Sequence, residues 1–226
     1  MLILLPPSES KTAPATGNPV MPAELSFPEL SRDRAMLAEH LAEVSERPDA
    51  LEILGVGPSL ADDVARNRDL ATAPAAPALD VYSGVLYDAL DAGTLDAAAR
   101  RWLGGHVLIH SAPFGPVAAL DAIPAYRLAA GTTLPGLPPL RRLWADAVTD
   151  ALAAAAPTFV LDLRSEAYAA LGPVPAGISS AYLRVVTRGA DGTTRALNHF
   201  NKHAKGDLVR ALETSRPRIA TARGLI

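Results

Sequence analysis

The sequence predicts an α+β fold: a single compact domain over residues 1–226 with a mixed β-sheet and an inserted helix-hairpin-helix at about residues 50–68. Three observations lead there. The apolar runs in "MLILL", "HVLIH" and "TFVLDL" have the length and character of buried strands. The segments between them repeat apolar residues at helical spacing. One of those segments turns on two closely spaced glycines.

"MLILL" opens the chain as a strand, and "PPSESKTAPATGNPV" comes next as a loop, because its prolines and polar residues cannot continue a central strand. "SRDRAMLAEHLAEVSER" puts Met36, Leu37, Leu41 and Val44 on one helical face, with Ser31 or Asp33 as its cap. In "RPDALEILGVGPSLADDVARNRDL" a helix enters the turn Leu54-Gly55-Val56-Gly57, and a second helix begins at Pro58 and Ser59. A Pro/Ala connector, Ala71 to Leu79, leads to a short helix from near Asp80. "HVLIHSAPFGPV" reads as a strand running into an abrupt Pro/Gly loop. "PPLRRLWADAVTDALAAAA" is the longest helical pattern, begun by Pro139 and stopped by Pro157. "TFVLDLRSEAY" is a buried strand that runs into charge, and the extended runs around "GADG" read as a β-hairpin. "NKHAKGDLVRALETS" closes as a helix whose inward face is expected to carry Phe200, Ala204, Leu208 and Ala211.

Composition removes several chemistries. The chain has no cysteine, which excludes disulfides, thiolate metal sites and a cysteine nucleophile. "MLILLPPSES" is too short and lacks the basic leader of a signal peptide, and no stretch approaches the roughly 20 apolar residues of a membrane span. A cytoplasmic protein with no membrane partner is expected. The net charge of −3 hides a gradient: residues 1–175 hold 12 Lys+Arg against 21 Asp+Glu, and residues 176–226 hold 9 against 3. An anionic partner is therefore admissible at one place on an acidic protein.

The candidate site residues are marked by their positions. The exposed amides of the Gly55–Ser59 turn suit a phosphate, with Gly55, Gly57, Ser59 and Arg66 as its contacts; Asp62 and Asp63 sit where a phosphate binder prefers lysine, and an ordinary helical hairpin has the same pattern. Ser8, Glu9 and Lys11 come after the first strand, and Arg164, Ser165, Glu166 and Tyr168 after a later one, where α/β proteins keep ligand groups. Arg164 suits a carboxylate or phosphate, or equally a salt bridge to Asp162 or Glu166. Ser111, Tyr126 and Arg127 share that ambiguity, and Tyr82 stacks on a base or packs in the core. In "NHFNKHAKGDL" two of the three lysines lie beside two of the five histidines. His199 and His203 have i,i+4 metal-ligand spacing, but Lys202 and Lys205 would repel a cation. His199, Lys202, His203, Gly206 and Arg210 otherwise share one helical face, with Lys205 nearby, that is either anion-binding or merely solvated, and a mid-helix glycine marks close approach by something.

Taken together, "LLPPSESKT", "LDVYSGVLYDAL", "HSAPFGPVAALDAIPAYRL", Leu143-Trp144, "DLRSEAY" and "NHFNKHAKGDLVRAL" resemble the YaaA peroxide-stress protein family, in order and over nearly the whole chain. The resemblance implies one α/β domain of unusual topology with a helix-hairpin-helix and a basic cleft. It also implies DNA binding and protection from hydrogen peroxide by limiting iron-driven damage to DNA. It places the hairpin at Leu54 to Ala61. The family's polar cluster falls on Ser8, Glu9, Lys11, Tyr82, Ser111, Tyr126, Arg127, Arg164, Ser165, Glu166, Tyr168, Asn198, Lys202, Lys205 and Gly206.

The expected function is therefore a cytoplasmic stress-response protein that binds double-stranded DNA non-specifically, with Lys11, Arg164, Lys202 and Lys205 around one hollow. The alternative is an enzyme acting on a nucleotide or other small phosphorylated substrate in the same cleft. Its catalytic candidates are Ser8, Glu9, Lys11, Arg164 and Glu166. Direct iron handling by His199, His203 and carboxylates is a third reading, and no cofactor is otherwise expected.

Overall fold

The computed structural model describes residues 1–184, 186–188, 194–196 and 198–225. Its strands are β1 (Leu2–Leu5), β2 (Ala76–Pro77), β3 (Val107–Ser111), β4 (Gly115–Ala118), β5 (Ala122–Ile123), β6 (Val160–Asp162), β7 (Ser180–Tyr182), β8 (Val186–Arg188) and β9 (Thr194–Ala196). Its helices are α1 (Ser31–Glu46), α2 (Ala50–Ile53), α3 (Ala61–Ala65), α4 (Ala78–Val81), α5 (Val85–Leu90), α6 (Ala97–His106), α7 (Leu140–Ala155), α8 (Glu166–Ala169) and α9 (Asn198–Ser215). The result is an α+β domain.

The three apolar runs become neighbours in the main sheet, whose order is β4-β3-β1-β6-β7. β1 pairs in parallel on both sides, Ile3 opposite Val107 and opposite Leu161. Ile3, Leu5, Val160 and Leu161 are fully buried, which is the continuous apolar character of a parallel strand covered on both faces. β7 extends the parallel set and β4 turns back antiparallel on β3, so the sheet is mixed. The chain leaves β1 towards β3 and leaves β6 towards β7. The carboxyl ends of β1 and β6 therefore flank a point where the winding direction changes, and doubly wound sheets open a crevice at such a point.

Several elements differ from the sequence pattern for identifiable reasons. The "SAPFGPV" loop contains β4: Gly115 takes φ 63°, and Pro116 is tolerated because β4 is an edge strand. The helix expected near Asp80 is two short helices broken at Tyr82–Gly84, where the backbone pairs instead with the loop after β1. Helix α6 has no counterpart among the expected elements, since Gly104 and Gly105 weaken its pattern; Asp96 caps it through a 2.7 Å bond from the Ala99 amide. β8 and β9 pair as the sequence suggested, while the "GADG" turn lies outside the described residues.

One corner is tied by a buried charge. Arg34 of α1 is fully buried and donates to five backbone carbonyls: Phe114 (2.8 Å), Pro116 (3.0 Å), Ser26 (2.6 Å), Phe27 (3.0 Å) and Pro22 (3.3 Å). The donor fork of a guanidinium is thus fully used. Burial lowers its pKa to about 10, opposed by the nearby charges of Asp121 and Glu29.

Helix α9 faces inward with a different side from the one expected. Lys205, Gly206, Val209, Leu212 and Glu213 are buried, whereas Ala204 and Ala211 are exposed; the side chain of Phe200 lies outside the described residues. The cause is Gly206, where a Cβ would stand 2.2 Å from the Leu86 carbonyl oxygen and 2.7 Å from the Ala89 Cβ. The close approach that a mid-helix glycine signals is that of α5. On a free helix Gly206→Ala would stabilise by about 1 kcal/mol. Here we expect a net loss of about 1–3 kcal/mol by chemical denaturation, and a gain would contradict this packing.

Candidate anion and nucleic-acid site

Lys11 is fastened from both sides before its amine is considered. Its backbone pairs with Tyr82, and flanking bonds run from the Thr12 amide to the Val81 carbonyl (2.8 Å) and from the Ser83 amide to the Ser10 carbonyl (3.1 Å). The Nζ donates to the Ser8 carbonyl at 2.8 Å and lies 4.2 Å from the Tyr126 ring centroid and 5.5 Å from that of Tyr82. Those distances are cation–π contacts. The two phenols share a 2.8 Å hydrogen bond. Burial holds both phenols protonated, so neither supplies a counter-charge. Burial also draws the Lys11 ammonium down to about 8, Glu9 acting against the shift.

The helical unit after α1 reaches the same place. Asn67 is buried, and its amide makes two bonds to the Arg127 backbone, accepting from the N–H at 2.7 Å and donating to the carbonyl at 2.9 Å. It also donates to the Ser45 hydroxyl at 3.1 Å, which locks the unit to α1. Nothing in the sequence marks Asn67, because only the partner backbone 60 residues away gives it a role. The docking places Arg66 and Asp63 with Glu9, Lys11 and Tyr126 around a slot of about 10 Å³, room for about one water.

Within that slot the charges are partly paired. Arg66 bonds Asp63, both partly exposed, and Arg127 lies 3.4 Å from Glu9 while also donating to the Glu9 carbonyl at 3.2 Å. Exposed pairs of this kind are worth about 0–1 kcal/mol, so an incoming phosphate can displace them. In the adjoining turn, Gly55 requires glycine at φ 65°, and the Gly55 and Val56 amides are taken by the Glu52 and Leu51 carbonyls. Gly57 and Ser59 are exposed.

Arg164 has a different setting. It is 1% exposed and grips Asp162 with two bonds, Nε to Oδ1 at 2.9 Å and a terminal nitrogen to Oδ2 at 2.7 Å, while its other terminal nitrogen meets His110 Nδ1 at 2.9 Å. Removing one partner of such a buried pair costs about 3–5 kcal/mol, which makes Arg164 a structural ion rather than a free phosphate clamp. Since Arg164 has no lone pair to give, His110 Nδ1 accepts and Nε2 carries the proton; that Nε2 is buried without a partner among the described residues. Desolvation, then the Arg164 charge, hold the His110 pKa well below its usual value. Ser165 starts α8 without capping it through its side chain, and Glu166 is exposed and paired with Arg184. Tyr168 is buried, its ring centroid 6.2 Å from that of His110.

The four expected cations therefore occupy different settings. Lys11 lines the slot; Arg164 is buried and paired; Lys205 is buried and donates to the Leu163 carbonyl at 2.7 Å; Lys202 is exposed. His203 pairs with Asp207 at 2.9 Å, and the side chains of Asn198 and His199 lie outside the described residues. Among the described residues no group of three histidine or acidic side chains gathers as for a metal ion, and no helix is long and apolar enough to cross a membrane.

A mixed sheet with polar loops at its parallel strand ends, joined by a docked helical unit, defines an α+β protein with a small cation-bearing slot. The family described as "Peroxide stress protein YaaA" matches residues 1–223. A UPF0246 protein of Corynebacterium efficiens is 46% identical over 228 residues, covering 99% of this chain and 89% of that protein. Another, from Streptomyces coelicolor, is 42% identical over 215 residues, covering 94% of this chain and 82% of that protein. The chain belongs to the YaaA peroxide-stress family.

Two stability experiments test this geometry. Asp162→Ala should cost about 3–5 kcal/mol, and the double change with Arg164→Met much less, because it removes the stranded charge. Equal losses in both proteins would refute the pairing. Below about pH 6.5 the unfolded chain protonates His110 while the folded chain resists, so stability falls with pH by up to about 1.4 kcal/mol per unit. In His110→Gln that part of the slope should vanish in denaturation measured from pH 7 to 5.

Proposed function

We propose that this protein acts in the cytoplasmic peroxide-stress response by binding duplex DNA along its phosphate backbone, without reading sequence. The observation that carries the reading is the convergence of Lys11, from the loop after β1, with Arg66, from the helical unit, at one slot. In this reading the unit at about residues 50–68 is a helix-hairpin-helix whose Gly57 and Ser59 amides meet one phosphate. Arg66 leaves Asp63 for the same strand, and exposed Lys202 adds a further contact. Arg164 and Lys205 hold the platform and make no phosphate contact.

A salt titration of duplex binding tests it. The log–log slope should fall by roughly one unit on removing each contacting charge, in Lys11→Gln and in Lys202→Gln. Because the Lys11 charge is present below about 8 and lost above it, raising the pH from 7 to 9 should flatten the wild-type slope and leave Lys11→Arg unchanged. A salt-independent signal, or none at low ionic strength, would falsify the reading.

A second reading is favoured by one feature. A bare phosphate contact does not require an amine caged between two tyrosine rings with a lowered pKa, whereas an enzyme acting on a nucleotide or other small phosphorylated substrate would use one. Thermal-shift screening against nucleotides separates the two. Stabilisation that survives high salt and disappears in Lys11→Gln supports the enzyme, and a panel with no Lys11-dependent response removes it.

A further inference from the structure

A cavity so far unassigned lies at the opposite end of the parallel strands from Lys11. It opens beside Met1 and Thr158, which precede β1 and β6, and has a volume of about 330 Å³. That is the small end of the range for ligand pockets, and far more than the slot beside Lys11 offers.

Its two walls differ in chemistry. One is aromatic: Trp102 and His106, one turn apart on α6, stack with centroids 4.2 Å apart and planes 8° from parallel. The His106 ring is pinned by a 2.8 Å contact from its Nδ1 to the Trp102 carbonyl oxygen, and both side chains are half-buried. The other wall is cationic. Where α9 ends, Arg216 takes a left-handed backbone, φ 44°, and the chain bends back until Ile219 is buried. A non-glycine residue in that conformation is held there by its surroundings. Glu213 receives two bonds from Arg216, through its carbonyl (3.1 Å) and its carboxylate (2.9 Å), which fix the direction of the guanidinium. Arg218 is exposed and adds a second one. Among the described residues no carboxylate lines the cavity itself, and the nearest one bonded to its wall is that of Glu213 on Arg216.

We infer that this cavity binds a mononucleotide, its base against the Trp102–His106 wall and its phosphate between Arg216 and Arg218. A flat ring gains stacking from the aromatic wall, and a phosphate gains charge-assisted bonds from the arginines. A volume of this size admits one nucleotide and excludes a duplex. The inference does not rest on the DNA reading, since none of these residues lines the Lys11 slot.

Calorimetric titration of the full chain with AMP tests it, with adenosine and ribose 5-phosphate as the two half-ligands. We expect saturable AMP binding, weakened about tenfold or more for either half-ligand. Arg218→Ala, an exposed change that should leave the melting temperature unaltered, should weaken AMP by a similar factor, and Lys11→Gln should not weaken it. Trp102 emission should respond to AMP, because the only other tryptophan, Trp144, is fully buried elsewhere. No heat at millimolar AMP, equal binding of ribose 5-phosphate, or loss of binding in Lys11→Gln instead of Arg218→Ala would each overturn the assignment.

Discussion

The central position of β1 is the constraint on which the rest of the molecule depends. Four apolar residues pair in parallel with β3 on one side and β6 on the other, so three segments remote in the chain end side by side. Adjacent strands stand about 4.8 Å apart, and the loops that leave them must therefore share one rim. The loop carrying Lys11, the end of β3 carrying Ser111 and the exit carrying Arg164 meet because their strands do.

At that rim burial separates ions that a sequence cannot tell apart. Arg164 and Arg66 are the same residue type with an aspartate nearby, yet one is sealed with its partner and the other stands at the surface. Breaking the first pair strands a charge in the interior, whereas breaking the second costs about what water and salt already cost it. The sealed cation is architecture, and the exposed one is available to a partner. Lys205 sides with architecture because its ammonium satisfies the Leu163 carbonyl just beyond β6.

Much of the scaffold is legible in the sequence because apolar runs and helical spacing report burial directly. The three central strands, α1, α7 and the final helix are all visible in that way. The illegible parts depend on neighbours remote in the chain. Helix α6 hides behind its glycines, and β4 hides behind Pro116, which only an edge position excuses. The inward face of α9 differs from the apolar spacing because the packing at Gly206 is decided by the close approach of α5. Among the site residues, Lys11 stands out by rarity and by its place after a strand. Asn67 and His110 do not, since an amide and an imidazole acquire meaning only from the groups they meet.

Arg34 has a consequence for how the molecule comes apart. One side chain serves carbonyls from the 22–27 loop and from the β3–β4 hairpin, and Asp121 doubles the tie by accepting from the Ser26 and Ala118 amides. The loop cannot peel away without stripping several bonds from a single ion. Nor can the edge strand swing out while α1 stays seated. Helix, loop and hairpin thus open together as one cooperative unit, and partial fraying of that corner is suppressed.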